Sequence, residues 1–395
     1  MIKNYKILGG LKIVNNVIDL FISTFFVMYF LRMSNNNIVP LAIYYLIVYI
    51  TVYVTIFILR NFCKLSKRIY LFRIGIILNF VYFLLIYFLK ENIVNYAWLM
   101  GIIYGIQQGF YFSVYNNFES TGVKNEQRKK FLGEIYAAKS ILSIVIPLAF
   151  GSIMNIDGFD KCVLIVLCLV FLQIIMSFLF KDITIKEKTK TNLKEFVDLI
   201  AKNDKLKKLY RMEFVNGAIY SGAFKSIVTI YIIRVLKNSL SYGIFTSVFA
   251  LIVALVGFFF ARLAKPKHYT IYLGISGVLT VLGLILMIFK CNFVTIIIFN
   301  FIQSYSQTIC ELINTNTLHN TSNIEEVKNK FKVEYFLGME TVLVAGRVLS
   351  YSILLILGFL SDGIWANVVL VIFALIVVIY TKASIDLQKL DKTKV

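Results

Sequence analysis

Twelve apolar runs, each close to the length of a membrane crossing, constrain this chain more than any other feature. They lie near 8–32, 38–59, 69–89, 94–117, 132–154, 162–180, 212–235, 240–261, 269–289, 292–315, 333–358 and 364–381. A hydrocarbon core is crossed by a helix of about 20 residues, so each run is read as a transmembrane helix. Composition agrees: 59% of the 395 residues are hydrophobic, 16% are charged and three are proline, with a mean hydropathy of +0.79. Such a chain is too apolar for an ordinary soluble domain. The first run is long, holds Asn15, Asn16 and Asp19, and lacks a small-residue cleavage site. It is therefore expected to be a span rather than a cleaved signal peptide.

A net charge of +20 would suit a nucleic-acid partner, but its distribution points to a lipid bilayer instead. Lys3 and Lys6 precede the first span, Arg60, Lys64, Lys67 and Arg68 follow the second, and Lys124, Arg128, Lys129 and Lys130 follow the fourth. Arg262, Lys265 and Lys267 follow the eighth, Lys328, Lys330 and Lys332 the tenth, and Lys382, Lys389, Lys392 and Lys394 close the chain. The alternate loops are short and nearly neutral. Positive residues collect on the cytoplasmic side of a membrane, so both termini are expected inside and the protein in the plasma membrane. Cys63, Cys162, Cys168, Cys291 and Cys310 show no metal-site or disulfide spacing and read as small apolar residues.

Residues 181–211 form the one long polar stretch and divide the chain into an N-terminal six-helix bundle (1–180), a cytoplasmic linker (181–211) and a C-terminal six-helix bundle (212–395). Within the linker, Leu193, Phe196, Val197 and Ile200 recur at helical spacing behind a capping pair, Asn192 and Glu195. This predicts an amphipathic helix on the cytoplasmic membrane face with its apolar side on lipid, a regulatory binding segment being the alternative. An internal repeat supports two halves. At an offset of 200, Gln107, Asn116, Thr121, Lys130, Phe131 and Glu134 match Gln307, Asn316, Thr321, Lys330, Phe331 and Glu334. The fourth and fifth spans thereby fall on the tenth and eleventh, as in a parallel duplication of a six-span unit. At 202, Tyr29 and Arg32 match Tyr231 and Arg234.

Four spans carry polar stripes. Lys12, Asn15, Asn16, Asp19 and Ser23 share one face of the first span, and Tyr104, Gln107, Gln108, Tyr111 and Tyr115 one face of the fourth. Ser221, Lys225 and Thr229 align in the seventh, and Asn300, Gln303, Ser304, Gln307, Glu311 and Asn314 in the tenth. The third, sixth, ninth and twelfth spans are apolar around most of their circumference, which suits the lipid boundary. Every third helix is thus expected to line something wet. The alternative is that the amides only join neighbouring helices, a common use of Asn and Gln in membranes.

With these features the chain resembles the major facilitator superfamily, and the resemblance covers nearly its whole length. It implies an all-α fold of 12 transmembrane helices in two pseudo-symmetric six-helix bundles, with cavity helices at positions one, four, seven and ten. The YFLR end of span one, Tyr29 to Arg32, and the acid-x-aromatic opening of span eleven, at Glu334, are similar to transporters of Gram-positive bacteria within that family. The loops after spans two and eight keep the family's basic residues but lack its acid. A gating charge relay built on that acid is not expected in its usual form.

The resemblance implies alternating access by a secondary transporter, commonly monomeric, moving a small-molecule substrate. Asn16, Tyr104, Gln107, Gln108, Tyr111, Lys225, Asn300, Gln303 and Gln307 are the candidate substrate contacts; their amide and ring surfaces suit a neutral or amphipathic solute, and Lys225 leaves room for an anionic group. Asp19 is the first candidate for proton coupling, with a fixed ion pair to Lys225 as the alternative, and Glu311 and Glu340 follow. Spans five and eleven each carry an acid and a base, Glu134 with Lys139 and Glu340 with Arg347, expected either to exchange partners as gates or to form a static network. Export of a drug-like solute is the leading expectation. Uptake of a sugar or similar polar solute is the second, and a non-transporting receptor or scaffold is the rival of another class. An enzyme is not expected: His268 and His319 lie near loops, and the sequence has neither a metal-ligand cluster nor a phosphate-binding loop. No cofactor is expected.

Overall fold

The computed structural model describes residues 2–62, 68–122, 125–180, 192–236, 238–359 and 362–392. Cys63, the basic loop at 63–67, Lys124 and the linker stretch 181–191 lie outside the described residues. The fold is all helical. The first span is α1 (Ile2–Phe21), a π-helical turn (Ile22–Phe26) and α2 (Val27–Met33) in one continuous rod. There follow α3 (Ile38–Phe62), α4 (Arg68–Leu89), α5 (Ala97–Gly122), α6 (Asn125–Ile156) and α7 (Phe159–Leu179). The linker gives α8 (Leu193–Lys202), which precedes α9 (Asp204–Ala218), α10 (Phe224–Leu236), α11 (Ser239–Leu263) and α12 (Tyr269–Phe289). Then come α13 (Phe293–Ser322), the short α14 (Glu325–Lys330), α15 (Lys332–Leu357) and α16 (Asp362–Lys392).

Ten stretches among the described residues are long and apolar enough to cross a membrane, against the twelve expected. The two others differ for physical reasons. α5 has 26 residues, but Gln107, Gln108 and its tyrosines lower its hydropathy. The seventh expected span is broken at residues 219–223 into α9 and α10, of 15 and 13 residues. The Ser350 hydroxyl accepts the Ala223 N–H at 2.9 Å, which replaces a bond lost where the helix is interrupted.

The helices fall into two compact units, Met1–Lys188 with Leu236–Val248, and Thr189–Val235 with Phe249–Val395. In the first, α3 and α5 lie in close contact because Gly101, Gly105 and Gly109 face Tyr44, Val48, Thr51 and Thr55. Small residues one turn apart let two membrane helices approach backbone to backbone. A Cβ on Gly105 would stand 2.7 Å from Thr51 Cβ and 2.8 Å from the Val48 carbonyl. An aromatic core fills the unit: Phe21 lies 4.9 Å from Phe150, and Tyr29 stacks flat on Phe159 at 3.7 Å, between ring centroids. The YFLR arginine, Arg32, donates to the Ser239 hydroxyl at 3.3 Å. Arg73 on α4 donates to the Ser177 carbonyl at 3.3 Å, near the last turn of α7. There a cation complements the helix dipole.

In the second unit α9 and α15 meet at Gly217 and Gly346, where either added Cβ would collide with the opposite backbone. α8 starts behind Asn192, whose side chain accepts the Glu195 N–H at 3.3 Å. Its apolar side is only partly free: Val197 is exposed, but Phe196 is buried against Tyr210 and Phe331. The expected lipid-facing stripe thus turns one of its rings onto protein. Glu195 pairs with Lys330, and Tyr210 donates to the Tyr335 carbonyl at 2.9 Å. Burial and the neighbouring Tyr335 push the Tyr210 hydroxyl well above the usual phenol range, so it stays a donor.

Candidate functional site

Helical periodicity sets Lys12, Asn15, Asn16 and Asp19 along one face of α1, and the first unit gathers most of them with the polar face of α5. Asp19 is partly buried. Asn15 Nδ2 donates to its carboxylate at 2.7 Å, Gln108 bonds it from α5, and the charges of Lys12 and Lys139 act on it. Gln108 Nε2 also donates to the Tyr104 hydroxyl at 2.6 Å. Lys12 Nζ lies 5.6 Å from the centre of the Tyr111 ring and 4.7 Å from that of Tyr115, within cation–π range. Three residues after Asp19 the rod enters its π-helical turn. Such turns loosen the regular hydrogen-bond ladder and recur at functional sites.

Several expected contacts have a different local setting. Tyr111 is 1% exposed, with its ring 5.4 Å from Tyr115 and 5.6 Å from Phe72, and is a core ring. Gln107 is equally buried, yet its Oε1 accepts no hydrogen bond among the described residues; the same holds for Asn16 Nδ2 as a donor and Gln303 Oε1 as an acceptor. A buried amide atom without a partner costs about 1–3 kcal/mol, so these atoms mark places where a polar ligand or water gains most. The charge of Lys139, which shares α6 with Glu134, acts on Asp19. Both α6 residues are exposed.

In the second unit Lys225, Glu311 and Glu340 are exposed, while Asn300, Gln303, Gln307 and Arg347 are partly buried. Asn300 Nδ2 is tied to its own helix at the Ile296 carbonyl, 2.9 Å away. Asn314 turns out of the stripe and donates to Tyr380 at 2.7 Å and Ser384 at 3.1 Å on α16. For that residue the helix-joining alternative holds. Sequence reasoning overlooked Glu213, which is 7% exposed on α9. Asn216 donates to it at 3.2 Å, and the charges of Glu340 and Arg347 act on it from α15. Its signal was available, because Glu213 and Asn216 repeat on α9 the three-residue spacing of Lys12 and Asn15 on α1. Among the described residues no three His, Cys, Asp or Glu side chains come together as a metal site would need.

The chain is 21% identical over 348 residues to the uncharacterised protein YqgE of Bacillus subtilis (strain 168), a match that covers 87% of this chain and 80% of that one. Among solved structures it is similar to a bacterial homologue of the iron transporter ferroportin in an inward-facing state, with TM-score 0.69, 14% identity and 98% of each chain covered. It is similar also to the nucleoside transporter NupG, with TM-score 0.66, 12% identity, and 97% of this chain and 98% of that one covered. At such identities the structural likeness speaks for the fold alone. The family model of the Major Facilitator Superfamily matches residues 14–321, and the chain belongs to that family of multi-pass membrane transporters.

Proposed function

We propose that this transporter exports a small amphipathic or drug-like solute in exchange for protons by alternating access, with Asp19 as the proton carrier. The observation that carries the reading is the setting of Asp19: partly exposed in a bundle of apolar helices, between the Asn15 and Gln108 amides and within reach of two lysine charges. An ionisable residue at such depth is costly and usually functional. The neutral amides suit both protonation states. The carboxylate takes the Asn15 donor, while a protonated carboxyl gains a hydrogen for which the Gln108 Oε1, buried and without a protein partner, is an acceptor. The Tyr104 ring, tied through its hydroxyl to Gln108, gives the same region an aromatic edge that favours an amphipathic solute.

Lys225, Glu311, Glu340 and the gating residues Glu134, Lys139 and Arg347 have secondary places in this reading. Glu340 and Arg347 act with Glu213 in the second unit, and Lys139 acts with Asp19 in the first. The coupling ion is a proton, the working unit is a monomer, the termini are cytoplasmic, and no catalytic step is involved.

A second reading, proton-coupled uptake of a sugar or similar polar solute, draws on the unpartnered amide atoms of Asn16, Gln107 and Gln303, which suit hydroxyl groups. One experiment separates the two. Purified protein is placed in liposomes around a pH-sensitive dye, and lipophilic cations, sugars and short peptides are added in turn. Proton movement with an amphipathic solute, lost in Asp19→Asn while solute binding persists, is the expected result; uphill transport retained by Asp19→Asn would remove Asp19 from coupling. Proton movement with sugars alone would favour uptake. Transport unchanged after leucine replaces Gln107, Gln108 and Gln303 would point away from the polar stripes altogether.

A further inference from the structure

The second unit holds a groove that the transport reading does not use. Near the basic end of α11, a space of about 440 Å³ lies between it and α12 and α13. Val256, Phe259 and Phe260 on α11, Ala264 just beyond its end, Tyr272 on α12 and Phe301 on α13 line it, almost wholly with carbon. Phe259 and Phe301 are more than half exposed, so the groove opens outward rather than into a sealed core. It ends at Arg262 in the last turn of α11 and the following Lys265 and Lys267, all exposed. Between Ser239 and Cys310 the sequence has no acidic residue. Arg262 lies 3.9 Å from the centre of the Phe258 ring, a contact that holds its guanidinium beside the apolar surface.

We propose that this groove binds an anionic diacyl phospholipid of the leaflet on the basic side, with one acyl chain along α11 and the headgroup phosphate at Arg262 and Lys265. Two independent features select this occupant. The lining offers dispersion contact and almost no hydrogen bonds, which suits a hydrocarbon tail, and its volume falls in the range of small-molecule sites. The loop at its exit carries Lys265 and Lys267 beside Arg262, and basic pockets between membrane helices take anionic headgroups. A sugar or peptide would find no polar partner inside, and a zwitterionic lipid would gain nothing from the rim.

The test is native mass spectrometry of the full chain in mild detergent, with phosphatidylglycerol or phosphatidylcholine of identical acyl chains added. Phosphatidylglycerol should be retained in preference to phosphatidylcholine. Each basic residue near an anionic surface contributes about 1 kcal/mol, so Arg262→Gln with Lys265→Gln should weaken phosphatidylglycerol retention roughly 30-fold. Val256→Phe, or Ala264→Phe should the first variant fail to fold, fills the groove and should release both lipids at unchanged melting temperature. Equal retention of the two lipids by the unaltered protein would overturn the proposal, as would indifference to the charge variants or to groove filling. Loss of solute transport in Val256→Phe with phosphatidylglycerol still bound would make the groove a solute path and overturn it too.

Discussion

Glu334, at the start of α15, accepts the backbone N–H of Asn192 at 2.8 Å, from the residue that caps the linker helix α8. The same linker helix is held by Glu195 with Lys330, and by Phe196 between Phe331 and Tyr210. A hydrogen bond to a charged group is worth about 1.5–3 kcal/mol, and here it secures the first turn. Glu334→Ala should therefore loosen α8 without unfolding α9 or α15. Hydrogen exchange should rise within residues 192–202 and remain unchanged at 206–218; uniform protection would show that Phe196 alone holds the linker.

That contact also shows how far the sequence could be read. Asn192 and Glu195 announced the helix, and the repeat singled out Glu334, but nothing in a one-dimensional pattern joins residues 142 apart. The class of fold was legible because the bilayer imposes a length and an apolar composition on every crossing. Lys12, Asn15, Asp19 and Gln108 were legible because helical spacing puts each set on one face, and their meeting followed from two stripes facing the same interior. Glu213 carried a fainter signal, its three-residue spacing to Asn216, and went unread because it stands at the polar end of a run that breaks at 219–223, where the Ser350 hydroxyl of another helix takes the Ala223 N–H. The opposite turns of Asn314 and Gln303 could not be read either. An amide in a stripe looks the same whether or not a tyrosine waits beside it.

The glycine row on α5 should tolerate no side chain. Gly105→Leu places carbon where Thr51 and Val48 already stand, and overpacking of this kind costs about 1–3 kcal/mol or more. Its melting temperature in detergent should fall well below that of the unaltered protein. Gly133→Ala is the control, because nothing lies within 4 Å of an added Cβ there and a helix interior gains about 0.5–1 kcal/mol from alanine. A stable Gly105→Leu variant would mean that α3 and α5 are not in intimate contact.

Glu213 stands under the influence of a second acid, Glu340, and of one base, Arg347. Removing that base should leave the buried Glu213 charge uncompensated, at a cost on the order of 1–3 kcal/mol. Arg347→Ala should therefore lower stability at neutral pH, and adding Glu213→Gln to it should restore most of the loss. A double-mutant cycle measures this coupling directly. Additive losses would show that Arg347 acts on other partners.

Asn314 and Gln303 share a face of α13 but should respond oppositely to leucine. Asn314 donates to both Tyr380 and Ser384, and polar contacts between membrane helices average about 0.6 kcal/mol. Asn314→Leu should lower stability by about that amount, and somewhat more where both acceptors are left buried, with solute binding preserved. Gln303 Oε1 is buried and accepts no hydrogen bond from a protein donor among the described residues, so Gln303→Leu removes an unsatisfied group and should leave the protein as stable or more so. If Gln303 meets the solute, that variant should lose affinity by roughly fivefold, the worth of one hydrogen bond of about 1 kcal/mol. Thermal scans with and without solute measure both effects. A loss of binding in Asn314→Leu at full stability would reverse the assignment and put the substrate path at the α13–α16 contact.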